Sequence, residues 1–285
     1  MPPAGVGRAV SCPNFALQSG WIRRELGPGA YGERPKPWTM TVTRIVSRAV
    51  ILAAGNGDRF HNPTHDSKLL QPLLGRPILL RTLEAAHDAG IRTVTIVVGY
   101  QADRVRALAE RGAPRDMNVS FVLNPEWRLE NGVSALAARS AVGRNRFALL
   151  MGDHVFEPAV LQRMLRLDAG PDESLLAIDA RPVPREVADE ATKVRREDGS
   201  RIVAIGKDLV DYDALDTGVF VFAPVLFEAL ERARELGDTT LSGGVRQLAA
   251  LGLMRGVEIG DAAWCDIDTV SDLAAAESAL LGASA

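Results

Sequence analysis

The 285-residue chain carries 33 basic and 36 acidic side chains, a formal net charge of -3, and 47% hydrophobic residues. That length and apolar content supply the core of one large α/β domain or two small ones, while the balanced charge lacks the basic face that a nucleic-acid partner requires. The two cysteines, Cys12 and Cys265, form neither a disulfide framework nor a zinc pattern, which fits a reducing cytoplasm, and neither a membrane-length apolar run nor a signal pattern is evident.

Met1 to about Pro37 is rich in Pro and Gly with no periodic apolar pattern, so residues 1–39 read as a disordered leader. Met40 offers an alternative start of translation, and the folded domain is expected over residues 46–282. The apolar run Ala49–Ala54 predicts a buried central strand that runs into Gly55-Asn56-Gly57-Asp58-Arg59. Helical spacing follows from Pro77 to Gly90, opened by Pro and closed by Gly. Strands are predicted at Val94–Val98, Val119–Leu123 and Phe147–Met151, with helices at Gln101–Arg111 and Ser134–Val142 between them. Beyond Pro158 the regularity breaks, and Ala191–Arg195 and Arg201–Ile205 flank an Asp198-Gly199 turn as a β-hairpin. Asp216-Thr217-Gly218 leads a strand at Val219–Phe222, and Trp264–Thr269 precedes a last helix capped by Thr269 or Ser271. The alternation predicts an α/β fold, a mostly parallel mixed sheet with helices on both faces and a small hairpin subregion.

Two places in this pattern carry chemistry. Small residues after the first strand let backbone N–H groups approach an anion, and Arg59 and Lys68 add charge, a combination suited to phosphates; the plainer reading is a βα turn whose glycines serve geometry. Gly152-Asp153-His154 ends the Phe147–Met151 strand, and in an open α/β sheet it converges with the Gly55 loop outside the carboxyl ends of the strands. Asp153, Asp266 and Asp268 are candidate ligands for Mg²⁺, which takes one or two carboxylates beside phosphate oxygens; Asp266 or Asp268 also suits a helix cap. Only four of the basic residues are lysines, and Lys68, Lys193 and Lys207 all sit beside these motifs, where a compact point charge suits a phosphate.

The run Leu52-Ala53-Ala54-Gly55-x-Gly57-x-Arg59 with Lys68, then Gly152-Asp153-His154, resembles the nucleotidyltransferases of the GT-A-like, Rossmann-like type. Asn124-Pro125-Glu126-Trp127, Asn131-Gly132-Val133-Ser134, Glu190-Ala191-Thr192-Lys193-Val194, Ile205-Gly206-Lys207-Asp208-Leu209 and Asp216-Thr217-Gly218 narrow the likeness to the inositol-1-phosphate cytidylyltransferases, over about Val46 to Glu277. The resemblance implies a nucleotide-diphospho-sugar transferase type of fold and a reaction of CTP with inositol-1-phosphate, giving CDP-inositol and pyrophosphate. It assigns Leu52, Ala53, Ala54, Gly55, Gly57, Asn131, Gly132 and Ser134 to the nucleotide, although Asn131 or Ser134 also suits a helix cap. Arg59, Lys68 and Asp153 become the catalytic set, while Lys193 and Lys207 take the acceptor phosphate, with Asp216 and, less directly, Thr217 on its hydroxyls. In many relatives this enzyme is fused to a membrane-embedded CDP-alcohol phosphotransferase, so the product is expected to pass to a separate enzyme; a homodimer is admitted. The chain departs from the family at Asp58, where a small residue or threonine is usual, and in the long Phe60–Ser67 insert with His61 and His65, read as loop residues.

Two rivals stand beside this reading. A nucleotidyltransferase for a hexose-1-phosphate or phosphocholine keeps the first loop and Asp153 but needs another acceptor hairpin or an aromatic cage. A non-catalytic nucleotide-binding regulator lacks the metal carboxylates or the bridging lysine, and this chain has both.

Overall fold

The computed structural model describes residues 46–60 and 66–282, so the leader, Met40, His61 and His65 lie outside the described residues. The chain runs β1 (Arg48–Ala53), a 3₁₀ turn at Lys68–Leu70, the short strands β2 (Pro72–Leu73) and β3 (Arg76–Pro77), α1 (Ile78–Asp88), β4 (Thr93–Val98), α2 (Ala102–Gly112) and β5 (Asn118–Leu123). It continues with α3 (Asn131–Ala137), α4 (Arg139–Val142), β6 (Phe147–Met151), β7 (His154–Phe156), α5 (Pro158–Arg166), β8 (Ser174–Asp179) and α6 (Arg185–Glu190). The last part holds β9 (Lys193–Glu197), β10 (Arg201–Gly206), β11 (Ala214–Phe222), α7 (Leu226–Glu235), α8 (Leu241–Ala250), β12 (Met254–Glu258), β13 (Trp264–Asp266) and α9 (Val270–Gly282).

Nine strands form one sheet in the order β5-β4-β1-β6-β11-β8-β12-β10-β9. The first four run parallel, and β11 is antiparallel to both β6 and β8. Both faces are covered, which is why β1 reads as an unbroken apolar run rather than an alternating one. Its Ala49, Ile51 and Ala53 enter the core beneath α1, α2 and α5, whereas Val50, Leu52 and Ala54 enter the core beneath α3, α7 and α8. The crossover helices carry the parallel strands past one another, so their carboxyl ends open on a single side of the molecule.

Most predicted elements stand within two residues of their expected bounds. The Asp198-Gly199 hairpin forms with φ of 51° and 76°, the left-handed pair that a tight two-residue turn demands, and a bulge between Ile202 and Ala204 shifts the register. Thr269 is the cap of α9: its hydroxyl accepts from the Asp272 N–H at 3.2 Å, and the Asp272 carboxylate accepts from the Thr269 N–H at 2.7 Å. Three expectations need correction. The helix expected at Ser134–Val142 is two pieces that begin at Asn131 and break at Ala138. The strand expected at Val219 begins at Ala214, because its first half pairs with β9 and with β8 across an irregularity at Asp216–Phe220. The stretch past Pro158 is regular too, holding α5, β8, α7, α8 and β12.

One buried polar contact ties the sheet to the site. Asp179, at the end of β8, accepts two bonds from the Arg181 guanidinium at 2.8 Å each and a third from Trp264 Nε1 at 2.9 Å. Burial pushes this carboxyl toward its neutral form, yet the bonds from Arg181 and Trp264 hold it below the usual range. Asp179→Ala is expected to cost about 2–4 kcal/mol in urea unfolding, since it leaves the buried partners unpaired. A depressed carboxyl contributes its stability above the unfolded pKa and loses it as pH falls through the folded one, so the gap between native and variant should close below about pH 4.

Candidate active site

The site forms where the ends of β1, β6 and β13 meet. The Gly152 N–H bonds the Leu52 carbonyl at 3.0 Å, and a side chain at Gly152 would press into that same oxygen, so only glycine lets the two strand ends close. In the loop after β1, Gly57 takes φ of 64° and lies against the Lys68 stem, whose Cγ and Cδ are 3.2 Å from where a Cβ would sit. The loop therefore wraps the lysine. Asp58 is exposed and accepts from the Asn56 amide across the loop.

Lys68 Nζ lies 2.6 Å from Asp153 Oδ2 and 2.8 Å from Asp268 Oδ1, and Arg59 pairs with the other oxygen of Asp268. His154 Nδ1 is 3.0 Å from Asp153 Oδ1 and 3.5 Å from Asp266 Oδ1, because β7 and β13 pair in antiparallel register with His154 opposite Asp266. Burial alone would deprotonate Lys68, but Asp153, Asp266 and Asp268 outweigh it and hold the ammonium well above its ordinary range. Burial alone would protonate Asp153, yet the Lys68 charge and the His154 bond keep it far below the carboxylate range. Asp268 is likewise held low by Lys68 against burial. Asp266, which has less help, is pushed up to about 7 by burial and by its carboxylate neighbours, while its neighbour His154 is raised against burial to about 9 by Asp266 and Asp153.

This arrangement fits a divalent cation. Ligand atoms of Asp153, His154 and Asp266 lie within 4.8 Å of one another, and the buried Asp266 Oδ1 has no hydrogen-bond partner. Two convergent carboxylates with an unsatisfied oxygen offer the hard oxygen ligands such an ion takes.

Above the carboxylates opens a cavity of about 910 Å³ that Arg59, Asp153, Asp216, Asp266, Asp268 and Lys207 all reach. The other predicted residues divide. Leu52, Ala53 and Ala54 bury their side chains in the core, which leaves only backbone for a ligand. Asn131 lines the cavity, and its Oδ1 accepts from the Leu241 N–H at the start of α8 at 2.8 Å. Ser134 is buried and accepts from the Asn124 amide at 3.0 Å; neither residue caps α3. Lys193 is buried, with Nζ donating to the Lys207 carbonyl at 2.6 Å, so in this state it braces the turn that presents Lys207. Arg246 braces the same turn through the Ile205 carbonyl at 2.9 Å. Asp216 accepts from the Gly218 N–H at 2.8 Å and is pushed up to about 6 by burial, whereas the Thr217 hydroxyl is used internally on the Ala177 carbonyl at 2.8 Å. From sequence alone His154, Trp264, Glu190 and Asp208 are only members of motifs, without a role, and Arg246 lies in no motif.

The fold and site define a nucleotidyltransferase. A profile of the MobA-like NTP transferase domain matches residues 49–252, and the chain belongs to that family. It is 35% identical over 245 residues to the bifunctional IPC transferase and DIPP synthase of Rubrobacter xylanophilus, covering 82% of this chain and 52% of that one. It is 34% identical over 258 residues to the CMP-5'-(3-aminopropyl)phosphonate synthase of Streptomyces rubellomurinus, covering 81% and 38%. The chain thus spans about half, or less, of the length of these relatives. The solved inositol-1-phosphate CTP transferase from T. maritima shares the fold with a TM-score of 0.70 at 23% identity, over 84% of this chain and 98% of that one. No described helix is long and apolar enough to cross a membrane.

Gly132 has a structural reason: a Cβ there would sit 2.6 Å from the Thr239 carbonyl oxygen, where α3 abuts the start of α8. Gly132→Ala should lower stability by about 1–3 kcal/mol in chemical denaturation.

Proposed function

We propose that this chain condenses CTP with inositol-1-phosphate, giving CDP-inositol and pyrophosphate. The observation that carries the reading is the buried Lys68 ammonium held between Asp153 and Asp268, two carboxylates that line the cavity together with Arg59 and the Lys207 turn. The names of the Rubrobacter relative and of the T. maritima structure support the choice of substrates. A phosphate oxygen of the acceptor attacks the α-phosphorus in line, a new P–O bond forms, and the bond to the β-phosphate oxygen breaks with its electrons leaving on pyrophosphate. The attacking oxygen is already anionic, so no strong base is needed; the work is positioning and charge neutralisation.

In this reading backbone of the Gly55–Gly57 loop and Arg59 hold the triphosphate, and Lys68 moves from its carboxylates to bridge the α-phosphate and the incoming phosphate. Asp153 with Asp266 or Asp268 would hold Mg²⁺, which would supply charge neutralisation on the phosphates. Asn131, Gly132 and Ser134 shape the nucleoside end, Lys207 with Lys193 takes the acceptor phosphate, and Asp216 with Thr217 orders its hydroxyl side. Of the two remaining carboxylates we favour Asp266 for the ion, since Asp268 is committed to Lys68 and Arg59. We assign the enzyme to the cytoplasm, the source of CTP, with its product consumed by a CDP-alcohol phosphotransferase activity. Transfer to an aminoalkylphosphonate is a second reading, favoured by the Streptomyces relative and by Glu190, Asp208 and Asp216, whose charges would hold an ammonium.

Pyrophosphate release from CTP, ATP, GTP and UTP against inositol-1-phosphate, hexose-1-phosphates, phosphocholine and 3-aminopropylphosphonate tests this directly. Release with CTP and inositol-1-phosphate alone is expected; release with another acceptor alone would overturn the acceptor while keeping the enzyme class. Lys68→Ala should lower kcat by roughly a hundredfold or more with CTP KM changed only a few-fold, and a native kcat with only a raised KM contradicts its role. An added Cβ at Gly55 meets nothing within 4 Å, so Gly55→Ala should melt like the native protein yet bind CTP more weakly.

A further inference from the structure

His154 is held in a place prepared for it. Its ring stacks on Trp264 with centroids 6.3 Å apart and planes at 23°, and Trp264 is fixed in turn through Asp179 and Arg181. On another side the ring meets Gly218, where a Cβ would stand 2.4 Å from Cδ2 and 2.7 Å from Nε2. Nδ1 is the nitrogen that reaches the carboxylates, at 3.0 Å from Asp153 Oδ1 and 3.5 Å from Asp266 Oδ1. Two carboxylates this close repel one another, and a ring that donates to Asp153 and stands 3.5 Å from Asp266 Oδ1 offsets that repulsion.

We propose that His154 is a positioning residue that holds Asp153 by a hydrogen bond and Asp266 by proximity so that both carboxylates face one divalent cation, and that residue 218 is glycine to admit the ring. The Nδ1 contact at 3.0 Å to Asp153 makes it a donor to the carboxylates rather than a ligand of the ion itself. This inference rests on the cation site of the proposed function and not on which acceptor the enzyme uses.

Mn²⁺ binding without nucleotide, followed by calorimetry and by the electron spin-echo modulation of the bound ion, tests it. The variants are His154→Leu, which removes the donor, and His154→Asn, whose amide N–H can replace it; melting temperatures establish that each is folded. The native protein should bind Mn²⁺ with no directly coordinated nitrogen in the spectrum. His154→Leu should bind about 10–100-fold more weakly, and His154→Asn should recover most of the loss. In turnover, the Mg²⁺ concentration needed for half-maximal rate should rise in His154→Leu while the acceptor KM stays near native. A strong Mn–nitrogen coupling, equal binding by all three proteins, failure of His154→Asn to recover, or no Mn²⁺ binding by the native protein would each overturn the proposal. Since no substrate enters the binding measurement, native Mn²⁺ binding with silence across the CTP panel would sink the proposed reaction and leave this inference intact.

Discussion

A lysine ammonium almost sealed from solvent, held 2.6 Å and 2.8 Å from two aspartates that are far apart in sequence, is the constraint on which the site depends. Lys68 follows the first strand, Asp153 follows the fourth parallel strand, and Asp268 precedes the last helix. Charges buried this deeply persist only when paired, so the lysine fixes where all three segments end. In the proposed reaction this resting ion pair exchanges partners: phosphates that enter offer the ammonium a new partner and release carboxylate oxygens toward a cation. In that proposal structural glue and chemical apparatus are the same three side chains.

The sheet makes that convergence possible. Parallel β5-β4-β1-β6 bring the Gly55 loop and Asp153 to one edge, while the short antiparallel pair β7–β13 brings Asp266 and Asp268 across from another part of the chain. The proposed acceptor side is built differently. There β9, β10 and the start of β11 carry Lys193, Lys207 and Asp216, and two cations brace the connecting turn by its carbonyls, which keeps Lys207 facing the cavity. A parallel half with its Gly55 loop and an antiparallel half with its hairpin thus close on one cavity.

Much of this was legible in the residues. The β1 run, the Asp-Gly hairpin and the Thr269 cap are local signals, decided by apolar burial, left-handed turn geometry and a hydroxyl three residues from its N–H. The convergence of Asp153 with Lys68 followed from the rule that ligands gather at strand carboxyl ends. What escaped depended on partners distant in sequence. The fully buried β8 lacks the alternation that marks a strand by itself, and the Gly243-Gly244 pair inside α8 argues locally against a helix, although α7 buries Leu226, Phe227, Leu230 and Ala233 at helical spacing. Ser134 and Thr217 look like binding hydroxyls in a motif, yet Asn124 and the Ala177 carbonyl engage them inside the fold. His154 was quoted only as part of a motif, since its meaning lies in Trp264, Gly218 and Asp266, none of which is near it in the chain.

The central claim is that Lys68 exchanges carboxylate partners for phosphate ones. A crystal structure with Mg²⁺ and α,β-methylene CTP, which cannot release pyrophosphate in the ordinary way, measures this directly. The account predicts Lys68 Nζ within hydrogen-bond distance of an α-phosphate oxygen and withdrawn from at least one of Asp153 and Asp268. Lys68 still bridging both carboxylates, with the triphosphate bound elsewhere, would contradict it.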